Sequence, residues 1–201
     1  MSRFERRQHQ FIDEVWTAAS QLDQVEVSVL PGGAAHAADL NCKSIPLRRS
    51  GQISDLHTLP EGENFASAIS REFPIALVRL GRTGLLALDP YFNRDPPVWA
   101  RAVHYNKSRM TNHTGIRFDE RELGRADVAR LYGTRPDASI AERHLSLTVI
   151  GATLLIGDLG SPEGTRIITK VHNDYDHGGR STRLWVPDSV PSEWLPEPVL
   201  V

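Results

Sequence analysis

The chain has one cysteine, Cys42, in 201 residues. That excludes an intramolecular disulfide framework and any zinc site built from several thiolates. A lone cysteine reads as a small buried hydrophobe. No apolar run approaches the ~20 residues that span a bilayer, so a membrane is not an expected partner. Charge of one sign is also missing. Lysine and arginine total 23, aspartate and glutamate 25, and the formal net charge is −2. Nothing here draws the whole molecule towards nucleic acid or an anionic surface, and nucleic acid is not an expected ligand. There is no glycine-rich phosphate loop, no internal repeat and no low-complexity tract. The N-terminal stretch is charged and polar and lacks the apolar core of a signal peptide. The expected location is cytoplasmic.

What is present is ordinary globular material, 40% hydrophobic and 24% charged. It suffices for a real core. Residues 1–186 read as a single α+β domain and 187–201 as a proline-rich tail. Ser2 and Glu5 have capping-box spacing, and Phe11, Ile12, Val15, Trp16 and Ala19 recur at helical period. A first helix over 2–19 with Phe11 and Trp16 in the core is expected. Val25 to Leu30 alternates and stops at Pro31-Gly32-Gly33. A helix is expected over 60–73, ended by Pro74. Ile75–Leu80 and Leu85–Leu88 flank Gly81-Arg-Thr-Gly84, a hairpin signal. Val98 to Tyr105 reads as a strand and 107–118 as a loop. A helix is expected over 119–132, with Gly133 at its C-terminus, and a short one from Pro136 to Arg143. Leu145–Ile150, Thr153–Ile156, Arg166–Val171 and Thr182–Val186 read as a four-stranded meander. Its first turn is Gly151-Ala152. The fold expected from this order is α+β, a mainly antiparallel β-sheet with helices packed on one face.

Four stretches carry candidate chemistry. His172, Asp174, Asp176 and His177 follow a strand closely enough to bind a divalent metal. Their spacing is similar to that of metallo-β-lactamase-like hydrolases, with Asp174 replacing a histidine, but the scaffold of that family is missing. Asp39-Leu-Asn41-Cys-Lys43 is similar to the acidic-x-Lys signature of metal-dependent nucleases, with Asn41 where a carboxylate belongs. The segment from Asp127 to Gly133 followed by Ile140 looks like a helix-turn-helix. An acidic second helix, carrying Asp137 and Glu142, is a poor match for phosphate.

The fourth spans more of the chain: Ala76-Leu-Val-Arg79, Pro97-Val-Trp-Ala-Arg101, Leu123-Gly124, Arg143-His-Leu-Ser-Leu and Leu154-Leu-Ile-Gly-Asp158-Leu-Gly-Ser-Pro162. Over roughly residues 75 to 162 this order resembles the chorismate lyase family and the related ligand-binding domain of GntR-type regulators. The resemblance implies that Arg79 and Arg101 bind substrate carboxylates. It also implies that Asp158, standing where the family has glutamate, completes the pocket as its acid. Two guanidiniums can hold a dicarboxylate bidentately, and an acid can protonate a departing enolate. The residues leave open whether the chain is an enzyme. The leading expectation is a pocket for a small anionic, carboxylate-bearing molecule, with or without lyase chemistry. The alternatives are a metal-dependent hydrolase or nuclease using His172–His177, and a non-catalytic subunit that pairs with a protein partner or with itself.

Overall fold

The computed structural model describes residues 2–33, 41–46, 69, 73–91, 98–103, 115–117, 121–150 and 153–171. The chain opens with helix α1 (Arg3–Ser20). Ser2 caps it: its hydroxyl accepts from the Glu5 amide at 3.1 Å, and the Glu5 carboxylate accepts from the Ser2 amide. Phe11, Ile12, Val15 and Ala19 are buried on one stripe, and Trp16 packs against the rim of that core. Among the described residues ten strands follow, all paired antiparallel: β1 (Val25–Leu30), β2 (Cys42–Pro46), β3 (Ala76–Leu80), β4 (Gly84–Tyr91), β5 (Val98–Ala102), β6 (Gly115–Arg117), β7 (Glu122–Leu123), β8 (Leu145–Ile150), β9 (Thr153–Asp158) and β10 (Thr165–Lys170). Helix α2 (Arg125–Tyr132) sits between β7 and β8. The α+β, antiparallel expectation holds.

The strands divide into two sheets. One has the order β1-β10-β3-β4-β5-β6, the other β2-β9-β8-β7. Pleating assigns their faces. Arg79 lies opposite Arg166 and Leu85, and its side chain meets Asp13 of α1, so that face of the six-stranded sheet carries the helix. Ala76, Val78, Leu80, Leu86, Leu88 and Ile167 belong to the other face and are buried. Two side-chain contacts cross from that face to the smaller sheet. Lys43 of β2 reaches Glu26 of β1 at 2.6 Å, and Thr165 of β10 donates to Asp158 of β9 at 2.6 Å. The two sheets therefore share one core, to which the smaller contributes Ile45, Leu123, Leu145, Leu147, Leu154 and Ile156.

The structure revises four expectations. The β8–β9 hairpin forms, with Ile150 opposite Thr153. The meander ends there, because β10 joins the other sheet between β1 and β3. Its reason is legible in β10 itself: Ile167 and Ile168 point to opposite faces and both are fully buried, the signature of a central strand. The helix expected over 119–132 shrinks to α2, since Glu122 and Leu123 pair with β8. Gly124 is the helix N-cap, and a Cβ there would lie 1.5 Å from the Glu142 carbonyl oxygen. Pro136 to Arg143 is turns and bends, not a helix, because Asp137 and His144 side chains take backbone amides that a helix would use. Strands β2 and β6 lie in segments with no readable pattern. Of the helix expected over 60–73, only Ile69 and Phe73 fall among the described residues, both buried. The strand expected over 182–186 and the tail lie outside them.

The approach at Gly124 leaves no room for a side chain. Gly124→Ala should destabilise the protein by about 2 kcal/mol or more, since overpacking against fixed backbone costs about 1–3 kcal/mol. Urea unfolding would measure this, and an unchanged midpoint would show that the 141–142 turn yields freely.

Candidate functional site

Arg79 and Arg101 stand on β3 and β5, with β4 between them. Arg79 pairs with Leu85, Ala87 pairs with Arg101, and Leu85 and Ala87 share a pleat phase. Positions 79 and 101 are therefore about 10 Å apart in the strand-to-strand direction, on the same side of the backbone. The Arg101 side chain lies outside the described set. Arg79 is largely covered and bonded to Asp13. Asp158 is elsewhere. It belongs to the smaller sheet, and it bonds Thr165, which lies opposite Leu80 on the face of the larger sheet away from Arg79. Among the described residues no hydrogen bond or ion pair joins Asp158 to Arg79. Among the described residues, then, Arg79 and Asp158 do not share a pocket. Residues 172–177, with His172, Asp174, Asp176 and His177, lie outside the described residues. Among those that are described, no group of three potential metal ligands gathers. Lys43 of the nuclease-like stretch is committed to Glu26.

Asp158 is instead the centre of a buried knot. Its carboxylate accepts from the Gly160 and Ser161 amides at 2.8 Å and from the Ser161 and Thr165 hydroxyls at 2.6 Å. His144 is beside it and fully buried. Serine, histidine and aspartate this close invite a catalytic reading. The geometry refuses it: Ser161 donates to the carboxylate and not to the imidazole, and both Ser161 and His144 have no exposed surface. The His144 Nδ1 accepts from the Ala141 amide at 3.2 Å, which leaves the ring neutral with its proton on Nε2. Nε2 has no hydrogen-bond partner among the described residues. Burial pushes the imidazole below the usual histidine range, and the Asp158 charge, the Gly164 carbonyl and Glu163 offset this only in part.

An accessible polar cleft of about 360 Å³ lies away from this knot. Three elements build it. The first half of α1 supplies Glu5, Gln8 and His9. The β3–β4 turn supplies Arg82 and Thr83. The end of α2 and the segment after it supply Tyr132, Thr134, Arg135 and Asp137. Tyr132 fixes the floor: its hydroxyl donates to the Leu85 carbonyl at 2.6 Å and accepts from the Leu85 and Val103 amides at 3.1 and 3.3 Å. Gln8 donates to the Val103 carbonyl at 3.0 Å. Gly133 turns the chain out of α2 with φ 64°, a left-handed conformation that glycine adopts without strain. Asp137 then ties the following segment to the β3–β4 turn, accepting from Thr83 at 2.6 Å and from the Ser139 amide at 2.9 Å, while Ser139 Oγ accepts from the Arg82 amide at 2.9 Å.

The charges in this cleft are unequally engaged. Burial pushes the Asp137 carboxyl up, but hydrogen bonds from Thr83 and Ser139, with His9 nearby, hold it below the ordinary range. The hydrogen bond from the Ser2 amide, helped by the Arg135 charge, does the same for Glu5. Among the described residues the Arg82 side chain has only a loose contact with Glu163, at 3.8 Å, and it is well exposed. Among the described residues Arg135 has no hydrogen bond or ion pair. Sequence reading passed over Arg82, His9 and Arg135 because they stand in a turn, on a helix flank and in a loop, where no periodicity marks them. The pairing of Arg82 with a Gly81–Gly84 turn was the one available signal.

No family model, curated protein or solved structure matches this chain.

The knot predicts a structural role for Asp158. Asp158→Ala would strand two hydroxyls and two amides in the core. At about 1–3 kcal/mol for each unsatisfied group, the loss should be at least about 3 kcal/mol by chemical denaturation. A loss under about 1 kcal/mol would show that the turn finds other acceptors.

Proposed function

We propose that the protein binds a small anionic, carboxylate-bearing molecule in this cleft, with Arg82 and Arg135 as the cations and His9 as a further donor. One observation carries the reading: both carboxylates of the cleft are spent on local amides and hydroxyls, whereas its two guanidiniums are not. An anion bridging Arg82 and Arg135 would gain charge-assisted hydrogen bonds and displace only the loose Glu163 contact at 3.8 Å. The same observation favours binding over lyase chemistry. Glu5 and Asp137 are held below the usual carboxylate range, so neither offers a proton near neutral pH.

The test is a thermal-shift and calorimetric screen with malonate, succinate and benzoate against their neutral amides. A carboxylate at a hundredfold excess over its Kd should stabilise the fold by about 2.7 kcal/mol. Arg82→Ala and Arg135→Ala should each weaken binding at least about tenfold and fold normally, while Arg79→Ala should leave binding intact. A screen with no responding carboxylate, or a response that survives the double Arg82→Ala, Arg135→Ala change, would overturn the proposal.

A further inference from the structure

We infer that His144 is a proton-operated latch on the wall of this cleft, an inference that rests on the anion-binding reading for its consequence though not for its mechanism. The wall is the segment from Thr134 to Ala141. Its cleft end is held by Asp137 and Ser139 against the β3–β4 turn. Its far end is held by three contacts: the Arg125 amide donates to the Ala141 carbonyl at 2.9 Å, the Arg125 Nε to the Ile140 carbonyl at 2.7 Å, and the Ala141 amide to His144 Nδ1 at 3.2 Å. The last contact exists only while Nδ1 carries a lone pair. A proton arriving there sets an N–H against the Ala141 N–H in a site with no water-exposed surface on the histidine. Two donors facing each other in a buried place must separate.

His144 cannot simply move instead. Its amide donates to the Leu123 carbonyl at 2.8 Å and its carbonyl accepts from the Leu159 amide at 2.9 Å, which fixes the residue between β7 and the turn after β9. The side that gives is Ala141, which then keeps only its two contacts from Arg125. The charged groups around the ring are known from each neighbouring element. Asp158 at the end of β9 and Glu163 in the β9–β10 turn favour the charged ring. Glu122 of β7 is neutralised by Arg143, with which it makes two hydrogen bonds of 2.6 and 2.8 Å. Arg125 of α2 donates to the wall itself, and Glu142 is exposed. The buried carboxylate of Asp158 provides the charge that makes proton uptake reachable, and burial keeps the ring neutral until the solution is acidic. On the linkage rule, a folded-state value below the ~6.5 of free histidine means that the latch is closed above about pH 6.5 and opens as pH falls through the lower folded value.

The experiment follows amide exchange of Ala141 and Ser139 in the ligand-free protein between pH 7.5 and 4.5, corrected for intrinsic rates, beside succinate binding over the same range. In the wild type, protection at Ala141 should fall by up to about tenfold per pH unit once His144 protonates. In His144→Asn, whose Oδ1 can take the acceptor place of Nδ1, protection should stay flat. Succinate affinity in the wild type should drop relative to the His144→Asn protein in proportion to the fraction of molecules whose wall remains closed. That ratio removes every effect of pH on binding that the two proteins share, the protonation of succinate included. Flat protection in the wild type, or an equal fall in His144→Asn, overturns the latch. If His144→Asn does not fold, the ring resonances of His144 in the wild type decide. A titration midpoint coincident with the loss of Ala141 protection supports the latch, and either event without the other overturns it. A protein that loses Ala141 protection with acid but binds no succinate at any pH keeps the latch and loses the anion-binding reading.

Discussion

The carboxylate of Asp158 sits in the seam between two sheets, and the crossing of the chain from one to the other depends on it. Burying a charge costs several kcal/mol unless it is compensated. Here four donors surround it, two of them amides of the turn that it must shape. A carboxylate with that many partners leaves the chain almost no freedom between β9 and β10. Gly160 and Gly164 then supply the left-handed backbone that the path requires, at φ 87° and 72°. The turn also receives the end of β1. A Cβ on Gly32 would lie 1.8 Å from the Ser161 carbonyl oxygen, and one on Gly164 2.5 Å from that of Leu30. So the knot sets the position of β1 as well as β10, and β10 in turn pairs with β3. The contact between Lys43 and Glu26 at the other end of β1 holds the same seam from the rim. It is partly exposed and contributes at most about 1 kcal/mol. The weight of the seam therefore falls on Asp158.

Tyr132 does for the cleft what Asp158 does for the seam. Its hydroxyl is buried where β5 leaves β4, and it adds to the direct hydrogen bond from the Val103 amide to the Leu85 carbonyl at 3.1 Å. Burial pushes the phenol far above its ordinary range despite the hydrogen bonds from Leu85 and Val103, so it remains a neutral donor and acceptor at any ordinary pH. Anchoring the last residue of α2 in this way fixes where Gly133 sends the chain next. The cleft wall is thus placed from both ends, by a hydroxyl in the core and by Asp137 at the β3–β4 turn.

What the sequence made legible were features with local causes. The capping box at Ser2 and Glu5, the alternation in β1, the Gly81–Gly84 hairpin, the left-handed Gly133 and the β8–β9 hairpin are all written within a few residues of themselves. What it hid depends on distant partners. β10 has the same apolar character as β9, and nothing local says that it pairs with residues more than eighty positions away. β2 and β6 are short and unpatterned and become strands because an edge is waiting for them. Glu122 and Leu123 have helical neighbours, yet β8 claims them. Asp158 was legible as a significant residue and misread in kind: a carboxylate after an apolar run followed by Gly-Ser-Pro is also the local pattern of a side chain that caps its own turn. The cleft was the least legible feature, since its residues come from three elements and none carries a motif.

The division of polar capacity is the strongest argument about where function lies. Most charged and titratable groups of the described structure are satisfied by another part of the same chain: Arg79 by Asp13, Arg143 by Glu122, Lys43 by Glu26, Asp158 by its turn, Glu5 by the helix cap and Asp137 by the hairpin. A group already satisfied and buried can hold a fold but cannot meet a ligand without breaking something. This is why the His144, Asp158 and Ser161 cluster, chemically the most suggestive on paper, has no route to a substrate. It is also why two arginines on the surface of a shallow cleft matter more than a shifted histidine in the core. Recognition requires donors with capacity to spare and space for a ligand to approach them. Among the described residues that combination occurs where Arg82, Arg135 and His9 line one cleft beside the first half of α1.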